Sequence, residues 1–205
     1  MSQEEIEQEE QGPVMVEIFT PGDILYYGPG SRVIPFFQEV TSETILPFIS
    51  QLLELDSRSC GDIITIHLNT PGGSLTDAFV AYDIIKTIKS PVVILCTGMI
   101  ASAGLILLSA GDYRYASPNC MFFYHQPILP LDPINSTEAS LSASSAYKMT
   151  SDLYDEVIRK RSKITKGVWK KEFEGKTTKY FDTEEALKYK FIDEIIPFSK
   201  KRKIT

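Results

Sequence analysis

The chain has 205 residues, 43% of them apolar and 23% charged, with a net charge of −6; that is long enough for one domain with a real core and argues against nucleic acid as the main partner. Its three cysteines, Cys60, Cys96 and Cys120, are odd in number and show no paired spacing, so no disulfide framework is expected and a reducing cytoplasm is the expected compartment. With only His67 and His125 beside them, no Cys/His cluster has ligand spacing, and neither a metal nor another cofactor is expected.

Residues 1–30 read as an acidic, disordered arm followed by a turn-rich loop, with no basic-then-apolar pattern of a secretory signal. A folded domain is expected over 31–198, and 199–205 form a basic tail. Residues 32–36 are a short strand candidate. A helix follows over 43–55, striped by Ile45, Leu46, Ile49, Leu52 and Leu53 and capped by Thr41 or Ser42. Pro47 is tolerable there only near the first turn. Residues 63–68 form a β-branched strand running into Asn69-Thr70-Pro71-Gly72-Gly73, and Ser74 with Asp77 predicts a capping box opening the next helix. The uncharged stretch 90–111 is long enough to suggest a membrane span. Pro91, Gly98 and Gly104 instead divide it into a buried strand (92–96), a turn and a buried helix (102–110), and no membrane association is expected. Strands follow at 113–116 and 121–124, then an apolar loop with Pro130 and Pro133, a long helix over 136–161, a capped helix from Asp182-Thr183, and a closing strand over 191–196. Strands alternating with helices through short links predict an α/β domain with a mostly parallel sheet.

Ser102 lies in Gly98-Met99-Ile100-Ala101-Ser102-Ala103-Gly104. A serine hydroxyl is a weak nucleophile until a base takes its proton. His125, in His125-Gln126-Pro127, ends a strand at the edge where α/β proteins place their sites; His67 is the other imidazole. Lys176 and Lys179 could serve a serine–lysine pair, a reading weakened by His125 in its motif. An oxyanion needs two fixed N–H donors. Ala103 and Gly73, each at a turn leading into a helix, offer unpaired ones, and Gly72 and Gly73 let a substrate backbone come close. Singly, each of these pieces packs a helix on a sheet as readily as it does chemistry; together and in this order they are far more specific.

These residues (69–73, 98–104, Pro118-Asn119 and His125-Gln126-Pro127), with Tyr82-Asp83, Glu185-Ala186 and Ile192-Asp193, resemble the proteolytic subunit of Clp proteases, ClpP, over about 32–196. The resemblance implies the ClpP/crotonase-like fold of repeated β-β-α units with a long handle, here about 128–161. It implies a serine endopeptidase that assembles into seven-membered rings, often stacked in pairs, and is fed unfolded chains by an AAA+ unfoldase, so that ATP enters only through that partner. Ser102 would be the nucleophile, His125 the base, and Gly73 and Ala103 the oxyanion donors, with Gly72, Pro127, Ile128 and Leu129 against the substrate.

The chain departs from the family at the third triad position. Aligning Tyr180-Phe181 and Glu185-Ala186 without a gap puts Thr178 where the family has Asp, and Thr177 where it has the Arg of the ring–ring contact. Asp182 is the nearest aspartate; it is expected as a helix cap, and a local gap would make it the orienter instead. Pro130 and Pro133 stand where the family has a glycine-rich strand that pairs with substrate, and cannot donate ladder hydrogen bonds. The expectation is a ClpP-like endopeptidase with an atypical triad. The rivals are a silent subunit that gates or scaffolds an active paralogue, and a ClpP-like viral head-maturation protease.

Overall fold

The computed structural model describes residues 27–28, 30–127, 137–174 and 178–197. One sheet carries the fold. Strands β1 (Val33–Phe36), β2 (Ile64–Thr70), β3 (Val92–Ala101), β4 (Tyr113–Ala116) and β7 (Glu194–Ile195) lie in that order and pair in parallel. β5 (Met121–His125) joins the far end of β3, also in parallel, and β6 (Thr178–Phe181) runs antiparallel to β5. Six helices are described: α1 (Ser42–Arg58), α2 (Leu75–Thr87), α3 (Gly104–Ala110), α4 (Thr137–Ser162), α5 (Lys166–Glu172) and α6 (Thr183–Lys188). The architecture is α/β with a mostly parallel sheet, as the alternating elements predict.

β3 is the element that differs most from expectation. It does not stop at 96 before a turn; it continues through Gly98 to Ala101. Its first half pairs with β4 (Val93↔Tyr113 to Cys96↔Ala116) and its second with β5 (Met99↔Met121 to Ala101↔Phe123), so the sheet forks there. The opposite edge accommodates the bend with a register shift in β2 between Leu68 and Thr70. The side chain of Asn69 repairs that defect, accepting the Met99 N–H at 3.1 Å. Gly98 has φ +65°, and a Cβ there would come within 2.8 Å of Asn69 Oδ1. That is why a glycine sits inside a strand.

Thr41, not Ser42, caps α1, in a reciprocal capping box with Thr44. Pro47 lies inside α1, beyond the first turn. The carbonyl that its missing N–H frees belongs to Glu43, an exposed residue, which lowers the cost of leaving it unpaired within the helix. Ser74 caps α2 by accepting the Asp77 N–H (3.2 Å), but the box is not closed. The Asp77 carboxylate accepts from Ser42 Oγ and the Ser74 N–H donates to Val40 O. Asp182 caps α6 through the Glu185 N–H, as expected. α5 and β6 were not expected. Each offers the core a single buried residue, Trp169 and Phe181, too few for a visible period. The closing strand is only two residues long because Phe191 and Ile192 leave the ladder to enter the core. Trp169 and Phe173 stack at 4.7 Å, with Tyr124, Phe181 and Phe191 around them, fastening α5, β5 and β6 together.

Of the expected arm, loop and tail, 1–26, 128–136 and 198–205 lie outside the described residues, as do Lys176 and Thr177. Among the described residues no helix is long and apolar enough to cross a membrane; the apolar stretch 90–111 is spent on β3 and α3.

Two groups set the stability of this frame. Arg114 is 2% exposed and forks onto both carboxylate oxygens of Asp193 at 2.9 Å, tying β4 to the chain end. Removing one partner of a buried pair strands the other charge, so Asp193→Ala is expected to cost about 3–5 kcal/mol in urea unfolding at neutral pH. His67 is enclosed by Phe37, Tyr27 and Thr97 (Nε2 to Oγ1, 2.9 Å), and burial pulls its pKa below the ordinary 6.5. The unfolded chain therefore takes up this proton first. Stability is expected to fall as pH drops below 6.5, until His67 protonates in the fold as well. His67→Gln should flatten that part of the pH–stability curve.

Candidate active site

The turn after β3 is built around Ser102. β3 ends at Ala101 and α3 begins at Gly104, and Ser102 between them has φ +53°. Only a small share of non-glycine residues take this left-handed conformation, and where one does a site is worth seeking. Three contacts hold it. Its N–H donates to Phe123 O of β5 (2.8 Å), and its carbonyl accepts both the Leu105 N–H (2.9 Å) and the Tyr154 hydroxyl (3.2 Å). Gly72, at φ +95°, presses on the same turn from β2's side. A Cβ at that position would lie 2.6 Å from Ser102 Cβ and 2.7 Å from Ala101 O. The two glycine-containing motifs, 29 residues apart, are thus one packed object.

His125 ends β5 and stands over the same space. Ser102, His125, Gly73 and Pro127 line one cavity of about 700 Å³, walled by Leu75, Ala143, Ala146 and Tyr154. The imidazole stacks on Phe123 at 5.2 Å, which in turn stacks on Tyr180 of β6 at 4.3 Å. Its Nδ1 lies 2.7 Å from the backbone carbonyl of Gln126. A carbonyl only accepts, so Nδ1 donates in this bond, and in the neutral imidazole that leaves the lone pair on Nε2. Among the described residues no hydrogen bond links Ser102 Oγ to His125, a looseness common where no substrate is bound. Neither the Gly73 N–H nor the Ala103 N–H donates a hydrogen bond among the described residues.

Thr178 is directly opposite His125 in the β5–β6 ladder, and a directly opposed pair projects from the same face. It is exposed and makes no hydrogen bond to the imidazole among the described residues. Asp182 lies one residue beyond the Phe122↔Phe181 pair, four positions, or about 13 Å, along the strand from His125's partner Thr178, with its carboxylate on the α6 N-terminus. Lys179 opposes Tyr124, on the other face from His125, and is engaged by Glu172 and Glu185. Gly72 gives its carbonyl to the Val40 N–H (2.7 Å), and Pro127 gives its carbonyl to the Tyr147 hydroxyl (2.7 Å). Ile128 and Leu129 lie outside the described residues. No group of three or more His, Cys, Asp or Glu among the described residues could hold a metal ion.

Sequence reasoning missed the contribution of α4. Tyr147, Ser151, Tyr154 and Asp155, at helical spacing, present one face to the site. Tyr154 bonds the Ser102 carbonyl, Ser151 Oγ donates to Gln126 Oε1 (2.6 Å), and Asp155 accepts from Tyr124 (2.6 Å) and Gln126 (3.2 Å). Burial raises the hydroxyl pKa of Tyr154 and of Tyr124, so both remain donors at neutral pH. Many Ser and Ala along this helix give no periodic signal, and polar contacts of this kind leave none.

The geometry stands beside one comparison with known proteins. A family model described as Clp protease matches residues 25–199. The match contains every described strand and helix of the sheet and both halves of the Ser102–His125 cavity, and the mostly parallel α/β sheet is consistent with the ClpP/crotonase-like fold. The chain belongs to the Clp protease family.

Proposed function

We propose that this protein is a ClpP-like serine endopeptidase that cuts polypeptides through an acyl-enzyme on Ser102. The observation that carries the reading is the convergence of Ser102, His125 and Gly73 on one cavity, with His125 Nδ1 already on a fixed acceptor. Ser102 Oγ attacks the scissile carbonyl carbon while His125 Nε2 takes the hydroxyl proton. The oxyanion that forms is met by the N–H groups of Gly73 and Ala103. His125 then returns the proton to the leaving amine, and water repeats the sequence on the ester.

The third position is where the mechanism differs from a Ser–His–Asp triad. Thr178 brings no charge, and the Gln126 carbonyl takes the orienting role. A carbonyl fixes the tautomer as a carboxylate does, but stabilises the imidazolium less. A slower enzyme than a full triad follows, and the loss of the acid is bounded by about 10⁴-fold.

Clp protease family members generally form rings. Self-association of this chain is supported by the apolar side chains it leaves in water, Leu46, Leu53 and Val80 on α1 and α2, and Leu141, Met149 and Leu153 on α4. A seven-membered ring, its stacking, and feeding by an unfoldase extend the same reading.

An activated fluorophosphonate is expected to label Ser102 at neutral pH, read by peptide mass mapping; Ser102→Ala should abolish labelling and His125→Ala should slow it by at least about 10³-fold. Wild-type protein that assembles yet is not labelled would instead be a silent scaffold subunit. Gly72→Ala should fold but label at least about tenfold more slowly, because its Cβ would have to displace the Ser102 turn.

A further inference from the structure

If the Gln126 carbonyl orients His125, something must hold Gln126. Its side chain is fixed from both ends. Oε1 accepts from Ser151 Oγ at 2.6 Å, while Nε2 donates to the Tyr124 hydroxyl at 2.6 Å and to Asp155 Oδ2 at 3.2 Å. The Tyr124 hydroxyl in turn donates to Asp155 Oδ1 at 2.6 Å. Asp155 therefore accepts from the two residues that flank His125 in the chain. The ionised carboxylate accepts at both oxygens without presenting a donor of its own.

We propose that Asp155 is a positioning residue for catalysis, acting on His125 through the Tyr124–Gln126–Ser151 network in place of an acid bonded to Nδ1. The proposal rests on the serine peptidase reading above. A carboxylate is costly at this place in the fold. Burial raises its pKa, against the hydrogen bonds from Tyr124, Gln126 and Trp169, and Glu174 adds repulsion. Asp152, Glu156 and Glu174 share its cleft with Arg159, Lys166 and Lys170, so the surroundings are of mixed sign. No salt bridge to Asp155 is present among the described residues. Desolvating a charge here is offset only by its hydrogen bonds, and two of those bonds come from Tyr124 and Gln126, the residues on either side of His125.

Asp155→Asn turns one acceptor into a donor facing the Gln126 amide and should let the Gln126 carbonyl drift from Nδ1. With the fluorophosphonate as probe on the full chain, the limiting acylation rate is expected to fall about 10- to 100-fold, the rate equivalent of one charge-assisted hydrogen bond. The half-saturating probe concentration should stay unchanged. The double variant Asp155→Asn/Gln126→Glu restores a donor opposite an acceptor and should recover most of the loss. The wild-type to Asp155→Asn rate ratio should shrink as pH falls, because protonating Asp155 makes the wild type resemble the variant. Ser151→Ala, on the half-buried face of a helix, should fold and slow acylation in the same direction; if Asp155→Asn does not fold, a wild-type rate in Ser151→Ala overturns the proposal. So does an Asp155→Asn rate equal to wild type, a pH-independent ratio, or a loss that the double variant fails to recover. Wild-type protein that is not labelled at all overturns the peptidase reading, and the proposal with it. That outcome is distinct from labelled wild type with unaffected variants.

Discussion

The close approach between Gly72 and Ser102 governs the arrangement around them. With no room for a Cβ between them, the loop after β2 and the turn after β3 must be glycine and a left-handed serine held face to face. From that contact follow the fork in β3, the Asn69 patch on the β2 bulge, and the need for Gly98 inside a strand. A strand that bends at its midpoint can give its first half to β4 and its second to β5. The second pairing brings Phe123 O to the Ser102 N–H and, two residues on, His125 to the same cavity. Nucleophile and base are adjacent because a backbone ladder measures the distance between them.

The helix α4 then bears on both. Tyr154 reaches the carbonyl of Ser102, and its neighbour Asp155 reaches the network behind His125. Two consecutive side chains on one helix thus touch the supports of both reacting groups. A shift of α4 by a fraction of a turn would alter each of them at once, since hydrogen bonds of 2.6–3.2 Å have little tolerance for displacement. Tyr147, two turns before Tyr154, ties Pro127 to the same helix. The frame also leans on the aromatic cluster around Phe173, which includes Tyr124 of the network behind His125, and on the Arg114–Asp193 pair.

Much of the sheet was legible. Continuous apolar runs marked β2 and the start of β3, because a parallel strand buried on both faces has no polar side to show. Caps at Ser74 and Asp182 were legible because an N-cap is a local event. β6 and α5 were not, since each buries only one residue and takes its form from the neighbours it meets. The far half of β3 was misread as a turn, since Gly98 signals a break in isolation and only the bulge opposite makes it part of a strand. Pro47 inside α1 was misjudged for a similar reason: its cost depends on where the freed carbonyl lies, and Glu43, which carries it, is exposed.

For the site, the sequence determined which groups could act. Two histidines, one serine on a glycine-flanked turn and one glycine pair leave few choices, because chemistry depends on residue type and the motifs are contiguous. Tertiary structure decided what those groups do to each other. It put Thr178 beside His125 without a bond, turned Nδ1 to the Gln126 carbonyl, and brought Asp155, some thirty residues along the chain, behind it. An acceptor on a backbone carbonyl has no residue type to announce it. A second partner one helix away has no fixed spacing. Both exist only once the strand ladder and the helix face have been brought into register.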